Sequence, residues 1–435
     1  MGWNHRRLAA MISTGVFTSI LAGTPPPVRA AEAGAGAGTA SSAAQPIAGV
    51  SYEEVPFTAL PEWRDDDHSA AFKAFLRSCS AVLKRSTHPG SGSTDPFQRA
   101  LAAACTQAQA RGNRRINSRE SRAFFERFFV PHRVVHTHTH THTHTHTHTH
   151  ASGLLTGYYE PHIDGSLVRT ARFHIPVFRR PPDLENVVPE EARAAAGIAY
   201  THMRRTSAGL VPYPTRTEIE AGALAGQGLD VVWLADPVEV FFAQVQGSAR
   251  IRLPDGRRLG LAYDGKNGHL YTSIGRVLID RGAMTVDEMS MAALGRFLRA
   301  DPERGREVMQ HNASYVFFRA MAGDEEQVAQ GALGVPLTTG RSLAVDTAFH
   351  RLGSPIFVDA PALRHGGQRR PFRRLMVAQD VGSAIRGAER GDIYFGSGDI
   401  AAARAGITKH PGRFFVLLPR AAPAPTAPSG GAAQS

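Results

Sequence analysis

The chain has 435 residues, of which 42% are hydrophobic and 20% charged, and its formal net charge is +11 at pH 7. This composition is typical of a soluble globular protein long enough for two domains. The basic residues are scattered, which predicts no nucleic-acid partner; the charge suits anionic polymers or membrane surfaces, or serves solubility alone.

The first 30 residues have the layout of a secretory signal peptide. Arg6 and Arg7 form a basic start, residues 8–23 are mostly apolar, and Val28-Arg29-Ala30 resembles a cleavage site. The apolar stretch is short for a membrane span, although an uncleaved anchor is the alternative. No cysteine lies near this site to accept a lipid. We therefore predict an exported protein without a direct lipid anchor.

Helical spacing dominates the region that follows a flexible leader. Residues 31–48 are rich in Ala, Gly and Ser, which predicts the leader, and apolar residues recur at helical intervals from about 69 to 129. Asn117 is predicted to cap one helix. Cys79 and Cys105 lie in two predicted helices. Either a disulfide joins those helices or both thiols are buried.

A strict His-Thr alternation runs from His136 to His150. In an extended chain this alternation places every imidazole on one side, which creates many equivalent weak metal sites instead of one defined site. We interpret residues 136–150 as a low-complexity loop that tolerates insertion, with metal binding as the alternative. We predict no specific metal site.

The sequence after this tract is rich in strand-forming residues. Val238 to Leu253 is dominated by them, and Pro254-Asp255-Gly256 is a turn signal. Thr217 to Glu220 has the spacing of a capping box, which predicts the start of a short helix there.

Two carboxylates are prominent in the last folded stretch, before a tail at 421–435 that is predicted to be disordered. Asp380 follows an apolar strand. Period-2 alternation puts Asp392 and Tyr394 on the face opposite their apolar neighbours. A carboxyl group in such surroundings can have the raised pKa that a general acid requires. The alternative is an aspartate that caps a helix or a turn.

Ordered motifs cover the chain from about residue 120 to 418. They are LTGYYEP (155–161), VQGS (245–248), YDGKNGH (263–269), SIGRVLIDRG (273–282), NASYVFF (312–318), Pro336-Leu337, residues 375–385 and Asp392-Ile393-Tyr394. This series resembles the membrane-bound lytic murein transglycosylase A family. Its C-terminal part is similar to the module named for three aspartates, which here are Asp346, Asp380 and Asp392.

The resemblance implies a mainly β protein with an α-helical N-terminal part. Its main domain, residues 49–158 and 320–420, is expected to contain a double-psi β-barrel, with the three-aspartate module at about 335–418. A smaller β domain, residues 159–319, is expected to be inserted into it. A groove between the two domains is expected to hold a glycan strand.

The resemblance also implies cleavage of the β-1,4 bond between N-acetylmuramic acid and N-acetylglucosamine, with formation of a 1,6-anhydro sugar and no cofactor. Asp392 matches the family's single catalytic acid/base, and Asp380 matches a nearby active-site carboxylate. The alternatives are a glycoside hydrolase that uses both residues and a non-catalytic peptidoglycan-binding protein. Expected partners are peptidoglycan glycan strands and other cell-wall enzymes, in the periplasm or at the periphery of the outer membrane.

Eight further residues are candidates for holding sugars: Tyr158, Tyr159, Gln246, Gly247, Ser248, Lys266, Asn267 and Tyr394. Tyrosine rings can stack on pyranose faces, glycine allows close approach, and the polar side chains suit sugar hydroxyls and acetamido groups. The alternatives are core packing for the tyrosines and a hairpin turn at Lys266-Asn267-Gly268.

Overall fold

The computed structural model describes residues 49–87, 95–111, 116–136, 153–188, 199–321, 329–364 and 371–421. The predicted signal peptide and leader, the His-Thr tract from Thr137 onward and residues 422–435 of the tail lie outside these ranges. Within the ranges, no helix combines the length and the apolar character needed to cross a membrane.

The described strands form three sheets. In chain order the strands are β1 (Val50–Glu54), β2 (Phe129–His136), β3 (Gly153–Glu160), β4 (His162–Ser166), β5 (Ile175–Phe178), β6 (Leu184–Asn186), β7 (His202–Thr206), β8 (Gly209–Pro212), β9 (Asp230–Leu234), β10 (Ser248–Arg252), β11 (Arg258–Lys266), β12 (Val316–Met321), β13 (Ser342–Val345), β14 (Pro355–Ala360), β15 (Phe372–Val381), β16 (Arg390–Ser397) and β17 (Lys409–Pro419).

The described α-helices lie mostly before β2 and between β9 and β12. In chain order they are α1 (His68–Thr87), α2 (Pro96–Gln109), α3 (Ser118–Phe128), α4 (Arg216–Glu218), α5 (Pro237–Gln246), α6 (Ile274–Asp280), α7 (Met291–Ala300), α8 (Pro302–Gln310) and α9 (Gly398–Gly406). A π-helical turn, Ile219–Ala223, continues α4, and short 3-10 turns lie at Phe57–Ala59 and Trp63–Asp65.

The main sheet has eight strands in the order β1-β2-β17-β14-β15-β13-β16-β3. Helices α1 to α3 cover one outer side of it. The apolar faces that the spacing predicted are buried together with Phe357, Leu375 and Phe415 of that sheet. Asn117 begins α3 with a capping box: its side chain accepts a hydrogen bond from the Glu120 backbone, and the Glu120 side chain accepts one from the Asn117 backbone. The predicted helical N-terminal part is confirmed.

A disulfide joins α1 to α2. Cys79 and Cys105 are fully buried, their Cα atoms are 5.0 Å apart, and their sulfur atoms are bonded. The sequence left open either a disulfide or two buried thiols, and the disulfide is the one observed.

Six strands close into a barrel in the order β17-β14-β15-β13-β16-β3, because β3 pairs with both β16 and β17. The β13–β15 and β16–β3 pairs are parallel, whereas β3 and β17 run antiparallel. The interior is filled by apolar side chains from all six strands, including Leu155, Leu343 and Ile393. The predicted mainly β fold with a barrel is confirmed.

Two smaller sheets are formed by the chain between β3 and β13. One has the order β12-β11-β10-β4-β9-β5, and the other is β6-β7-β8. Helix α5 packs on the larger sheet, and its Val240 and Ala243 are buried with Ile251 and Phe318. The β structure of this segment is therefore inserted into the chain of the barrel.

Two local predictions in the inserted segment are wrong. Residues 237–246 form helix α5 instead of a strand, since Asp236 caps the helix, Pro237 occupies its first turn, and Gly247 ends it with a φ of 75°. Packing on the sheet overrides the strand preference of its β-branched residues. The capping box of α4 lies at Thr215 and Glu218, two residues earlier than predicted.

We expect replacement of both cysteines by serine to lower the free energy of unfolding by about 3 kcal/mol, since the bridge closes a loop with a sequence separation of 26 residues. Urea denaturation monitored by circular dichroism measures the difference. Reductant should destabilise the wild type to the same extent and leave the double variant unaffected. Equal stability of the oxidised wild type and the double variant would contradict this expectation.

Candidate active site

Two carboxylates lie in one row across four neighbouring strands. In β13, Ala344 pairs with Asp380 of β15 on one side and with Asp392 of β16 on the other, and Asp392 pairs with Thr156 of β3. Residues paired across a sheet share a face. Because Leu343 fills the barrel interior, the row lies on the outer face, with the Asp380 and Asp392 backbones roughly 10 Å apart.

A β-bulge brings Asp380 to this face. Leu343 pairs with Ala378, but the next residue, Ala344, pairs with Asp380, so Gln379 is the extra residue. Ala378 points into the barrel; in regular pairing Asp380 would point there too. The Gln379 side chain is fully buried, and its amide nitrogen donates to the Ala74 carbonyl of α1 at 2.9 Å.

Asp380 has hydrogen-bond partners on both carboxyl oxygens. Oδ1 accepts from the backbone nitrogens of Ala332 and Val381, each at 2.9 Å, and Oδ2 accepts from the Tyr158 hydroxyl at 2.8 Å. Burial raises the pKa of Asp380 to about 6, assisted by the negative charge of Asp392 and opposed by the three hydrogen bonds. Asp380 is therefore a firmly held carboxyl group that titrates near neutrality.

Among the described residues, Asp392 has a hydrogen-bond partner on one carboxyl oxygen only. Its Oδ1 accepts a hydrogen bond from the Thr156 hydroxyl at 2.6 Å, and Arg390 Nη2 donates to the same hydroxyl oxygen at 2.9 Å. In the described part of the chain, no residue bonds to Oδ2. Burial raises the pKa of Asp392, while the Thr156 hydrogen bond and the Arg390 charge lower it. Asp392 is partly exposed, as Asp380 is.

Tyr158 and Tyr394 pack with each other and with Ala344, with ring centroids 5.3 Å apart. Tyr158 is 8% exposed and Tyr394 is fully buried. Burial of Tyr158 agrees with the core-packing alternative; stacking of Tyr158 on a sugar and a sugar contact of Tyr394 stay predictions. The small side chain of Ala344 leaves room for the Tyr158 ring, whose hydroxyl binds Asp380. Tyr394 does alternate with interior residues as predicted.

Polar contacts join the inserted segment to the barrel beside this row. They are Tyr159 N to Gln246 Oε1 at 3.0 Å, Lys266 Nζ to Ser383 Oγ at 3.1 Å and Arg250 Nη2 to Glu160 Oε2 at 3.3 Å. Tyr159 and Gln246 are half-buried. Of the predicted sugar-holding residues, Tyr159, Gln246 and Lys266 therefore lie where the inserted segment meets the barrel. Lys266 does so through its contact with the loop after β15.

Three other residues that were predicted to hold sugars have positions that serve the fold. Asn267 is fully buried, and its amide bonds to the Pro214 and Ala313 carbonyls and to the Tyr315 nitrogen. This leaves no free group for a sugar, so the prediction for Asn267 is not supported. Gly247 ends α5, and Ser248, which is 6% exposed, begins β10.

Asp346, the first aspartate of the three-aspartate module, holds a turn. It is 4% exposed, and its carboxylate accepts hydrogen bonds from the backbone nitrogens of Ala348 at 3.1 Å and Gly387 at 2.8 Å. It lies just beyond β13 and is not part of the row.

Sequence reasoning missed Thr156 and Arg390. The available signal is the period of 2 that relates Thr156 to Tyr158 in β3 and Arg390 to Asp392 in β16. Pairing between the two strands could not be read from that spacing.

The described ranges contain no group of three or more His, Cys, Asp and Glu residues arranged to hold a metal ion. His136, the first residue of the His-Thr tract, bonds to the buried Glu389 at 3.2 Å. The rest of the tract lies outside the described residues, so its interpretation as a loop stays a prediction.

Fold and site together define a class of protein. It is a six-stranded barrel with an inserted β segment and two partly exposed carboxyl groups with raised pKa on one outer face. Perturbed carboxyl groups that share a face and differ in their partners are suited to acid–base chemistry.

Comparisons with known proteins identify the family. The MltA specific insert domain matches residues 154–319, and the 3D domain matches residues 341–418. The membrane-bound lytic murein transglycosylase A of Escherichia coli K12 is 35% identical over 266 residues, which are 60% of this chain and 64% of that protein. The match thus spans less than two thirds of this curated relative.

Solved structures extend the likeness over most of the chain. The membrane-bound lytic murein transglycosylase from Agrobacterium tumefaciens is 33% identical with a TM-score of 0.72, covering 85% of this chain and 98% of that one. E. coli MltA with bound chitohexaose is 27% identical with a TM-score of 0.54, covering 80% and 90%. The chain belongs to the membrane-bound lytic murein transglycosylase A family.

We expect Asp380→Asn to change how stability depends on pH. Because the pKa is raised to about 6 in the fold, protonation of Asp380 stabilises the folded state. That stabilisation is complete below the unfolded pKa of about 4 and is lost as pH rises through 6. Between pH 4 and pH 7, the free energy of unfolding of the variant should rise relative to that of the wild type by on the order of 2 to 3 kcal/mol.

Urea denaturation at four pH values across this window measures the change. Asp287→Asn, at an exposed position between α6 and α7, is the matched control and should follow the wild type. Parallel pH dependences of wild type and Asp380→Asn would show that Asp380 ionises equally in both states.

Proposed function

We propose that this chain is a peptidoglycan lytic transglycosylase. In this proposal it cleaves the β-1,4 bond between N-acetylmuramic acid and N-acetylglucosamine and forms 1,6-anhydro-N-acetylmuramic acid. The observation that carries the proposal is the difference between the two carboxyl groups: Asp392 keeps one oxygen without a described protein partner, whereas both oxygens of Asp380 are bonded. The names of the relatives support the substrate class.

A single acid/base can perform both halves of this reaction. Neutral Asp392 gives its proton to the glycosidic oxygen while the bond from that oxygen to C1 breaks through an oxocarbenium-like state. The resulting carboxylate takes the proton of the muramic C6 hydroxyl as O6 bonds to C1. Asp392 ends neutral, no water is consumed, and no cofactor is required. The raised pKa of Asp392 supports the starting acid form.

Asp380 suits an electrostatic role in this scheme. Three hydrogen bonds, from Tyr158 and from two backbone nitrogens, already hold its two oxygens in place. The negative charge of Asp392 raises the pKa of Asp380, so the two carboxyl groups interact. By the same Coulomb interaction, an ionised Asp380 favours the acid form of Asp392 and the positive charge that develops on the sugar.

A glycoside hydrolase is the second candidate. A hydrolase needs a second carboxylate to activate water or to act as the nucleophile. Asp380 shares the face of Asp392 and titrates with a pKa of about 6, which favours a base at neutral pH.

We further propose that residues 159–319 form a domain inserted between 49–158 and 320–420, and that a glycan strand binds where they meet. Lys266 contacts Ser383 across this boundary, and Tyr159, near the end of barrel strand β3, contacts Gln246. The E. coli relative with bound chitohexaose supports a glycan ligand. An exported, periplasmic protein that meets peptidoglycan and other cell-wall enzymes is consistent with this substrate.

We expect Asp392→Asn to release soluble fragments from isolated sacculi at least about a hundredfold more slowly than wild type, because the amide cannot donate and accept the proton. Mass spectrometry of the wild-type digest should find 1,6-anhydro ends. Asp287→Asn is the control and should match the wild type.

Two results would overturn parts of the proposal. Products with reducing ends and no anhydro sugars would make the chain a hydrolase. An Asp392→Asn variant as fast as wild type would remove Asp392 from the acid/base role.

A further inference from the structure

We propose that Thr156 and Arg390 select which oxygen of Asp392 carries the transferred proton. Thr156 holds Oδ1 as a hydrogen-bond acceptor, so Oδ2 donates and later receives the proton. The inference rests on the proposed role of Asp392 and adds two positioning residues to it.

The first step is the anchoring of Arg390. Its Nη1 donates to the Gly391 carbonyl at 2.6 Å and to the Leu154 carbonyl at 3.4 Å, and its Nη2 donates to Thr156 Oγ1 at 2.9 Å. The guanidinium therefore bridges β16 and β3. It is fixed by two backbone carbonyls in addition to the hydroxyl that it contacts.

The second step is the direction of the two hydrogen bonds that link Arg390 to Thr156 and Thr156 to Asp392. A guanidinium has only donors, so the Thr156 oxygen must accept from Arg390. The single hydroxyl proton of Thr156 is then directed to Asp392 Oδ1, 2.6 Å away. The short distance is typical of a hydroxyl that donates to a carboxyl oxygen.

The third step concerns the neutral form of Asp392. A proton on Oδ1 would face the Thr156 hydroxyl proton, so the acid proton resides on Oδ2. No described residue binds Oδ2, and the partly exposed side chain can present that proton to a ligand. After transfer, Thr156 still donates to Oδ1 of the carboxylate. One oxygen thus serves both halves of the reaction without rotation of the carboxyl group.

The charged and titratable groups around Asp392 come from several strands. Arg390 lies on the same strand, Asp380 on β15 and Tyr158 on β3. On β17, Lys409 pairs with Thr156 in the sheet and is exposed. Arg390 is the only one of these for which the structure gives a direct contact with Thr156's hydroxyl.

The sharpest test compares Thr156→Val with Thr156→Ser. Valine keeps the shape and removes the hydroxyl, whereas serine keeps the hydroxyl. With soluble, uncross-linked peptidoglycan strands, valine should lower kcat roughly tenfold, the equivalent of one hydrogen bond to a charged group, with little change in KM. Serine should stay close to wild type.

The pH profile separates positioning from a merely structural role. The Thr156 hydrogen bond lowers the pKa of Asp392, so its loss raises that pKa and moves the alkaline limb of the kcat profile to higher pH. Serine should leave the limb in place. An unchanged limb and unchanged kcat in Thr156→Val would overturn the inference.

Arg390→Met provides the second variant, in case Thr156→Val does not fold. It should move the alkaline limb in the same direction, because it removes a positive charge and frees the Thr156 hydroxyl to rotate. In the double variant with Thr156→Val the two effects should be less than additive, since part of the Arg390 effect acts through Thr156. Strict additivity would show that the two residues act separately, and it would overturn the inference that Arg390 orients the Thr156 hydroxyl.

Failure of this inference can be told apart from failure of the proposed function. If Asp392→Asn is inactive and Thr156→Val behaves as wild type, the acid/base role stands and the positioning role is wrong. If Asp392→Asn stays active, both are wrong, because Thr156 and Arg390 act through Asp392.

Discussion

Closure of the barrel by β3 is the constraint on which the rest of the structure depends. This strand pairs parallel to β16 and antiparallel to β17, and it supplies a hydroxyl to each carboxyl group, from Thr156 to Asp392 and from Tyr158 to Asp380. Gly157 makes the closure possible on the opposite face of β3, because a Cβ atom there would lie 2.5 Å from the Phe395 ring and 2.8 Å from the Ala405 backbone of α9. Without this closure both carboxyl groups would lose a donor.

The same burial produces two different carboxyl groups because their partners differ. Burial raises the pKa of both. Asp380 is then held by two backbone nitrogens and Tyr158, an arrangement that fixes its position and both oxygens. Asp392 receives one donor, from Thr156. A proton carrier must have a free oxygen, whereas a fixed charge need not. The division of roles that we propose therefore rests on hydrogen-bond counts more than on depth in the protein.

Sequence patterns predicted those features that depend only on residues close to them in the chain. The capping box at Asn117 and the alternation of Asp392 with Ile393 depend on neighbours in sequence, and both are found. Helix α5 was missed because its strand-forming residues are overruled by a cap and by packing. The bulge at Gln379 depends on α1, about 300 residues earlier in the chain, and Thr156 meets Asp392 across 236 residues. No local pattern encodes such contacts. Local spacing singled out Asp380 and Asp392 separately, and only the family resemblance implied that they share one site.

The position of the insertion explains how a large segment can be attached without disturbing the row of carboxyl groups. The chain leaves the barrel after Glu160, at the end of β3, and Glu160 is anchored there by buried Arg250 of β10 and by the Ser397 hydroxyl of β16 at 2.6 Å. A buried charge that lost one of these partners would be strongly destabilising. The ion pair therefore ties the inserted sheet to the strand that carries Thr156 and Tyr158. Tyr159, which contacts Gln246, and the hydroxyl donors Thr156 and Tyr158 consequently lie on the same strand.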